Sequence, residues 1–277
     1  MTESNQTTPS ITGVIVAKNE AETIVNSIET LRWCDDILVI DSGSTDETAA
    51  VAEATGVRVV GFSHPSMAKI RNEALKRIKT DWLFYLDADE RVTPVLAREV
   101  MVNLETSTAS ALRLKRQNVH YGRVFRHGGW QDDYVTRVFK KADFQKWYGK
   151  IHESPKFLGE LITLNSPLIH LTHRNTVDGL KKTISWTPIE AELLYKSGAQ
   201  PVKLLTLLRK GGLEFIRRGI FKQGYRDGLA GWIEALVQGM NRMLVYIQLW
   251  ELQQQPSLPE TYQKIEQEIA KLWQQKS

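Results

Sequence analysis

Over the first hundred residues the hydrophobic positions fall into short strand-length runs separated by polar turns. Residues 11–17 (ITGVIVA), 37–40 (ILVI), 57–62 and 82–86 (WLFYL) have the apolar, β-branched character of buried strands. The segments between them carry apolar residues at helical spacing, as Ile24, Ile28 and Leu31 do. Asn19 with Glu22, and Ser44 with Glu47, have the capping-box spacing; Gly56 sits where a helix ends, and Thr93-Pro94 reads as an N-cap followed by proline. The pattern predicts βαβ units, a helix over 67–78, another over about 94–104, and a mainly parallel sheet flanked by helices.

From residue 110 the texture changes to short alternating runs, 111–116 and 134–140 among them, with Gly- and His-bearing loops between. These predict a second half of the same sheet and an antiparallel flap, to about residue 172. Beyond 175, segments 176–196, 201–223, 227–255 and 259–274 all show helical periodicity. The expected organisation is a flexible arm over 1–10, a first α/β half over 11–110, a second half over 111–175 and a helical extension over 176–277.

Composition narrows the class. The chain has 277 residues, enough for a sizeable core, and a single cysteine, Cys34, which excludes an internal disulfide and a cysteine zinc cage and fits a reducing compartment. The first ten residues have no basic and apolar segments of a signal peptide, which points to the cytoplasm. The net charge of +4 is unevenly spread: residues 203–226 hold seven basic residues (Lys203, Arg209, Lys210, Arg217, Arg218, Lys222, Arg226) against Glu214, a local charge of +6. Large apolar residues are interleaved with them, as in a helix on an anionic membrane surface or in the outer face of a helical bundle. The stretch 228–252 is interrupted by Glu234, Asn241 and Arg242 and does not read as a membrane span. No nucleic-acid-binding motif accompanies the basic segment.

In an open parallel sheet, ligands gather beyond the carboxyl ends of the strands. Four such ends carry polar clusters: Lys18-Asn19-Glu20, Asp41 to Asp46, His64 with Ser66, and Asp87-Ala88-Asp89-Glu90. The glycine fingerprints of dinucleotide-binding and P-loop proteins are absent. Asp87 and Asp89, one residue apart after an apolar strand, form a pair that can converge on Mg²⁺ or Mn²⁺ together with substrate phosphates.

Val14-Ile-Val-Ala-Lys-Asn-Glu20, Ile37-Leu-Val-Ile-Asp-Ser-Gly-Ser-Thr-Asp46, Arg71-Asn72 and Leu86-Asp-Ala-Asp-Glu90 stand in the order and spacing of family 2 glycosyltransferases of the GT-A fold, which the chain resembles over about residues 11–105. Gly129-Trp130, Asp133, Arg137-Val-Phe139 and Ile151-His-Glu153 extend a weaker resemblance to the branch with lipopolysaccharide core glucosyltransferases of the WaaE type. The resemblance implies a GT-A domain with a C-terminal helical extension and an inverting transfer of a hexose from a nucleotide-diphosphate sugar, a UDP-sugar in the first instance. It implies a lipid-linked or core-oligosaccharide acceptor at the cytoplasmic membrane face, with the basic helices peripheral on that membrane. Two alternatives share the donor residues: transfer to polyprenyl phosphate, and a catalytically silent nucleotide-sugar-binding membrane scaffold.

The resemblance also assigns residues. Lys18, Glu20, Asp41, Ser42, Gly43, Arg71 and Asp87 match donor-binding positions; an acidic acceptor suits a uracil N–H or ribose hydroxyls, and a guanidinium suits phosphate. Lys18 is equally a solvated loop charge. Asp87 and Asp89 match the metal pair, Asp89 the direct ligand, with Mn²⁺ or Mg²⁺ the cofactor and His152 or His170 a further ligand. Where the family more often has two consecutive aspartates, this chain has Asp41-Ser42. The general base is Asp133 or Glu153. Arg137 either contacts phosphate or pairs with Asp133, and Trp130 in its glycine-flanked loop is a candidate sugar contact. The partners expected are a nucleotide-sugar donor, a glycolipid or oligosaccharide acceptor and a membrane surface, with no nucleic acid.

Overall fold

The structure, a computed structural model, describes residues 8–149 and 153–274. The chain folds as two compact units: one runs up to Arg126 and from Trp130 to Arg174, the other comprises His127–Gly129 and the chain from Asn175 onward.

The first unit begins with β1 (Ile11–Ala17), α1 (Ile24–Glu29), β2 (Asp36–Asp41), α2 (Thr48–Glu53), β3 (Arg58–Gly61), α3 (Met67–Leu75) and β4 (Trp82–Asp87). It continues through β5 (Glu90–Arg91), α4 (Pro94–Thr106), β6 (Ala111–His120), β7 (Arg123–Val124), β8 (Tyr134–Lys140), β9 (Phe144–Tyr148), β10 (Ser154–Phe157) and β11 (Leu161–Leu171). The main sheet has the order β3-β2-β1-β4-β8-β6-β11-β5, with β7 beside β6. Its first four strands are parallel, β8 joins β4 and β6 antiparallel, and β9 with β10 forms a separate antiparallel flap. The α/β sheet with flanking helices and a helical C-terminal region is the architecture expected.

The apolar runs are continuous because both faces of the sheet are covered. Along β4, Trp82, Phe84 and Leu86 pack with Ile11, Ile15 and the α4 residues Leu96, Val100 and Leu104, while Leu83 and Tyr85 pack on the other face with Ile70, Ala74, Phe139 and Trp147. Each such buried side chain contributes about 1.5–3 kcal/mol. Alternation thus sends successive β4 residues to two cores, and the strand emerges from them at Asp87.

Two capping readings need correction. Asn19 takes φ 55° and its Oδ1 accepts from Thr45 N at 2.7 Å, while α1 starts only after Thr23. Ser44 donates to the Asp41 carboxylate and accepts from Asn19 N at 3.0 Å, and α2 starts only after Glu47. Both side chains are spent on joining the loops after β1 and β2, so neither caps a helix. Thr93 does cap α4, its Oγ1 accepting from Leu96 N at 3.1 Å.

The second unit contains α5 (Thr176–Lys196), α6 (Leu204–Ile216), a π-helical turn over Arg217–Phe221, a short 3₁₀ turn over Gly224–Asp227, α7 (Gly228–Leu252) and α8 (Leu258–Gln274). Ala191 of α5 packs with Val245 and Leu249 of α7. Helices α6 and α7 cross at two glycines: a Cβ on Gly239 would lie 3.0 Å from the Gly211 carbonyl oxygen, and one on Gly211 would lie 2.3 Å from Met243 Cγ. His127 joins this unit through Asp227, which accepts from its backbone N at 2.9 Å. Among the described residues no helix is long and apolar enough to cross a membrane.

Candidate functional site

Asp87 ends β4, and the turn after it is braced from two sides. Ser27 of α1 donates its hydroxyl to Ala88 O at 2.6 Å, and Arg91 Nη1 donates to Ala88 O at 2.8 Å and Glu90 O at 2.6 Å. Glu90 then pairs with His170 in the β5–β11 register. The turn is therefore held through its backbone carbonyls.

The Asp87 carboxylate accepts from Arg71 Nη2 at 2.8 Å through Oδ1 and from Arg137 through Oδ2. Arg137 also donates to Glu90 Oε1 at 3.0 Å; Glu90 is fully buried, and its Oε2 accepts from Asp87 N at 3.0 Å. Burial pushes the Asp87 carboxyl up, but the Arg137 and Arg71 charges outweigh it and hold it below the usual carboxylate range. Burial likewise works against the Arg137 charge, and Asp87 and Glu90 more than restore it. Arg137 is thus bound to Asp87 and Glu90 and not to Asp133.

Asp133 has another partner. Arg116 grips it with Nε to Oδ2 and Nη2 to Oδ1, both 2.9 Å, and Asn118 Nδ2 donates to Oδ2 at 2.9 Å. Burial raises the Asp133 carboxyl, and the Arg116 hydrogen bonds and charge bring it below its ordinary value. Glu153 lies 3.4 Å from Arg71 Nη2 through Oε1. It lines a cavity of about 400 Å³ together with Asp87, Arg71, Arg116, Arg137 and Trp147. The Arg71 guanidinium sits 4.7 Å from the Trp147 ring centroid. Nε of Arg71 and Nε of Arg137 are buried donors without a partner among the described residues, a cost of about 1–3 kcal/mol each that the packing elsewhere must cover.

Asp89 is approached by His170, with Nε2 3.4 Å from Oδ2. His170 Nδ1 lies 2.7 Å from Asn118 Oδ1, an acceptor, so Nδ1 donates there and the contact fixes the ring with Nε2 toward the carboxylate. That separation suits a shared cation, since adjacent ligands of an octahedral Mg²⁺-sized ion stand about 3 Å apart. The orienting hydrogen bond on the far nitrogen is the usual support of a metal-binding histidine. Asp89 and His170 fit a hard or borderline divalent ion. Asp87, with its oxygens on two arginines, is less available to one. His152 lies outside the described residues.

The donor-side residues gather at the ends of β1 and β2. Asp41 accepts from Gly43 N and Ser44 N, each at 3.3 Å, and from the Ser44 hydroxyl. Gly43 has φ 89° and a Cβ there would meet Ser63 Oγ at 2.9 Å, so both conformation and space require glycine. Ser42 is buried and donates its hydroxyl to Ala17 O at 3.0 Å. Glu20 accepts from Thr23 Oγ1 at 2.6 Å, and Lys18 is exposed. Trp130 packs its ring 4.4 Å from that of His120. Sequence reasoning missed Arg116 and Asn118, which read as charged and polar positions of an alternating strand, and gave Glu90 no role.

The family model for glycosyl transferase family 2 matches residues 12–158. The chain belongs to glycosyltransferase family 2. An uncharacterized glycosyltransferase of Rickettsia felis is 33% identical to it over 258 residues, 87% of this chain and 89% of that protein. The lipopolysaccharide core biosynthesis glycosyltransferase LpsC of Rhizobium meliloti is 24% identical over 254 residues, 87% of this glycosyltransferase and 92% of LpsC. Among solved structures, glucosyl-3-phosphoglycerate synthase of Mycobacterium tuberculosis, in complex with Mn²⁺, UDP-glucose and glycerol 3-phosphate, superposes with a TM-score of 0.46 at 19% identity, over 72% of this chain and 85% of that one.

Proposed function

We propose that this glycosyltransferase is a metal-dependent, inverting hexosyltransferase that uses a UDP-sugar and glycosylates a lipopolysaccharide-core-type or lipid-linked acceptor at the cytoplasmic membrane face. One observation carries the reading: Asp87, Arg71, Arg137 and Glu153 line a single cavity at the end of β4, with the Asp89–His170 pair at the adjoining turn. The family membership supports sugar transfer, and the name of the Rhizobium relative supports the acceptor class.

In this reading Asp41 and Glu20 accept hydrogen bonds from ribose and base, with Lys18, Ser42 and Gly43 shaping that end of the site. Asp89 and His170 would hold Mn²⁺ or Mg²⁺, whose charge would neutralise the diphosphate leaving group. Arg71 and Arg137 supply further cations to that diphosphate. An acceptor hydroxyl attacks the anomeric carbon from the face opposite the leaving group; the new C–O bond forms as the bond to the phosphate oxygen breaks, and the hydroxyl proton passes to a carboxylate. Glu153 is the better placed base, because it lines the cavity and among the described residues has one long ion pair, whereas the hydrogen bonds from Arg116 and Asn118 make Asp133 a weaker proton acceptor.

The membrane part of the proposal rests on the second unit. Leu204, Leu205 and Phe221 are 72%, 74% and 77% exposed within the basic segment. Each Lys or Arg near an anionic surface adds about 1 kcal/mol of attraction. Arg217 and Arg218 share the single carboxylate of Glu214, so the segment keeps its net charge of +6. Two experiments test the proposal. Purified protein with Mn²⁺ should release UDP from one UDP-hexose and sediment with anionic but not neutral vesicles; release from no donor would overturn the catalytic reading, and indifference to vesicle charge the membrane one.

A further inference from the structure

A second cavity, of about 390 Å³, lies in the same unit. Lys115, Arg116, Gln117, Phe125, Arg126 and Trp130 line it, and no carboxylate lines it among the described residues. It adjoins the donor cavity in two places. Arg116 lines both, and Lys115 Nζ lies 5.8 Å from the ring centroid of Tyr134, which lines the donor cavity.

The charges in the two cavities are managed differently. Arg116 is balanced by Asp133 and Glu90. Lys115 forms no ion pair among the described residues; its recorded contact is the Tyr134 ring. Gln117 adds an amide able to donate and accept, and the Trp130 and Phe125 rings give the cavity an apolar wall. Aromatic surface beside amide and cationic groups is the chemistry that holds a pyranose ring bearing a negative charge: the ring's C–H face packs on the aromatic side chain while its anion meets the cation.

We propose that this cavity is an acceptor subsite for an anionic sugar, one carrying a phosphate or a carboxylate, with Lys115 as the principal anion contact. The inference rests on the glycosyltransferase reading and narrows its acceptor. The cavity's 390 Å³ accommodates one monosaccharide unit with its substituent, and its border with the donor cavity at Arg116 sets that unit beside the transferred sugar.

Binding to the full-length protein, measured by ligand-observed NMR without any nucleotide sugar, tests this directly. The probes are a hexose 6-phosphate, a hexuronate and a neutral methyl hexoside. One of the two anionic probes should bind at least roughly fivefold tighter than the neutral one; Lys115→Gln should remove that advantage and Lys115→Arg should restore it. A phosphate preference identifies a phosphorylated acceptor and a uronate preference an acidic sugar. Equal binding of charged and neutral probes, or an advantage that survives Lys115→Gln, would overturn the proposal. Because no donor is present, a separate loss of UDP binding would count against the catalytic reading and leave this result standing.

Discussion

Arg116 holds both oxygens of Asp133 at 2.9 Å, so one of the two carboxylates that the sequence offers as general base is already committed to a guanidinium. A base must accept a proton, and a carboxyl held below its ordinary value does so poorly. Glu153→Gln should therefore lower turnover by about 10²–10⁴ while UDP affinity stays within about twofold. Asp133→Asn should cost less. Steady-state kinetics beside calorimetric UDP binding decide between them, and the reverse order of damage would move the base to Asp133.

The Asp89–His170 approach predicts a metal effect separable from catalysis. His170→Ala should weaken Mn²⁺ binding by about tenfold or more, and Asn118→Ala, which removes the hydrogen bond orienting the ring, by about tenfold. Titration followed by the electron paramagnetic resonance of free Mn²⁺ reads both. Unchanged affinity in His170→Ala would remove the histidine from the metal site.

Two adjacent glycines in α6 should respond oppositely. A side chain at Gly211 meets Met243 and the Gly239 carbonyl oxygen, whereas a Cβ at Gly212 has nothing within 4 Å. Gly211→Leu should destabilise by about 1–3 kcal/mol through overpacking. Gly212→Ala should stabilise by up to about 1 kcal/mol through helix propensity. Thermal unfolding of the two variants checks the crossing of α6 and α7.

Glu214 makes the helical unit acid-sensitive. Burial raises its carboxyl, yet hydrogen bonds from Arg217 and Arg218 bring it from 4.5 down to about 2. A carboxylate with a depressed folded-state value contributes stability that is fully present above its unfolded value and is lost as pH falls through the folded one. The contribution should accordingly fade between about pH 4.5 and pH 2. Unfolding midpoints over that range should fall less steeply in Glu214→Gln than in the parent; identical slopes would contradict the pairing.

What the sequence disclosed follows from which contacts are local. The β1, β2 and β4 runs and the polar clusters after them were legible because a buried parallel strand writes its own pattern, and Asp41, Asp87 and Asp89 lie where that pattern stops. Thr93-Pro94 was legible for the same reason, since a cap and its helix are contiguous. Asn19 and Ser44 were misread because each had a local use and a distant one, and the distant loop won. Arg116, Asn118 and Glu90 were invisible as a group: the partners that join them to Asp133, Arg137 and His170 lie 15 to 52 residues away, and only the placement of β6 beside β8 and β11 brings the Asp133–Asn118–His170 line to the Asp89 turn.

The central claim is that a nucleotide-sugar transfer depends on the metal-facing carboxylate Asp89. The most direct measurement is UDP release from a panel of UDP-hexoses by the purified chain with and without Mn²⁺, run in parallel on Asp89→Ala after its fold has been verified by circular dichroism. The account predicts Mn²⁺-dependent release by the parent and a loss of at least about 10²-fold in the variant. Full turnover by folded Asp89→Ala, or release indifferent to Mn²⁺, would contradict it.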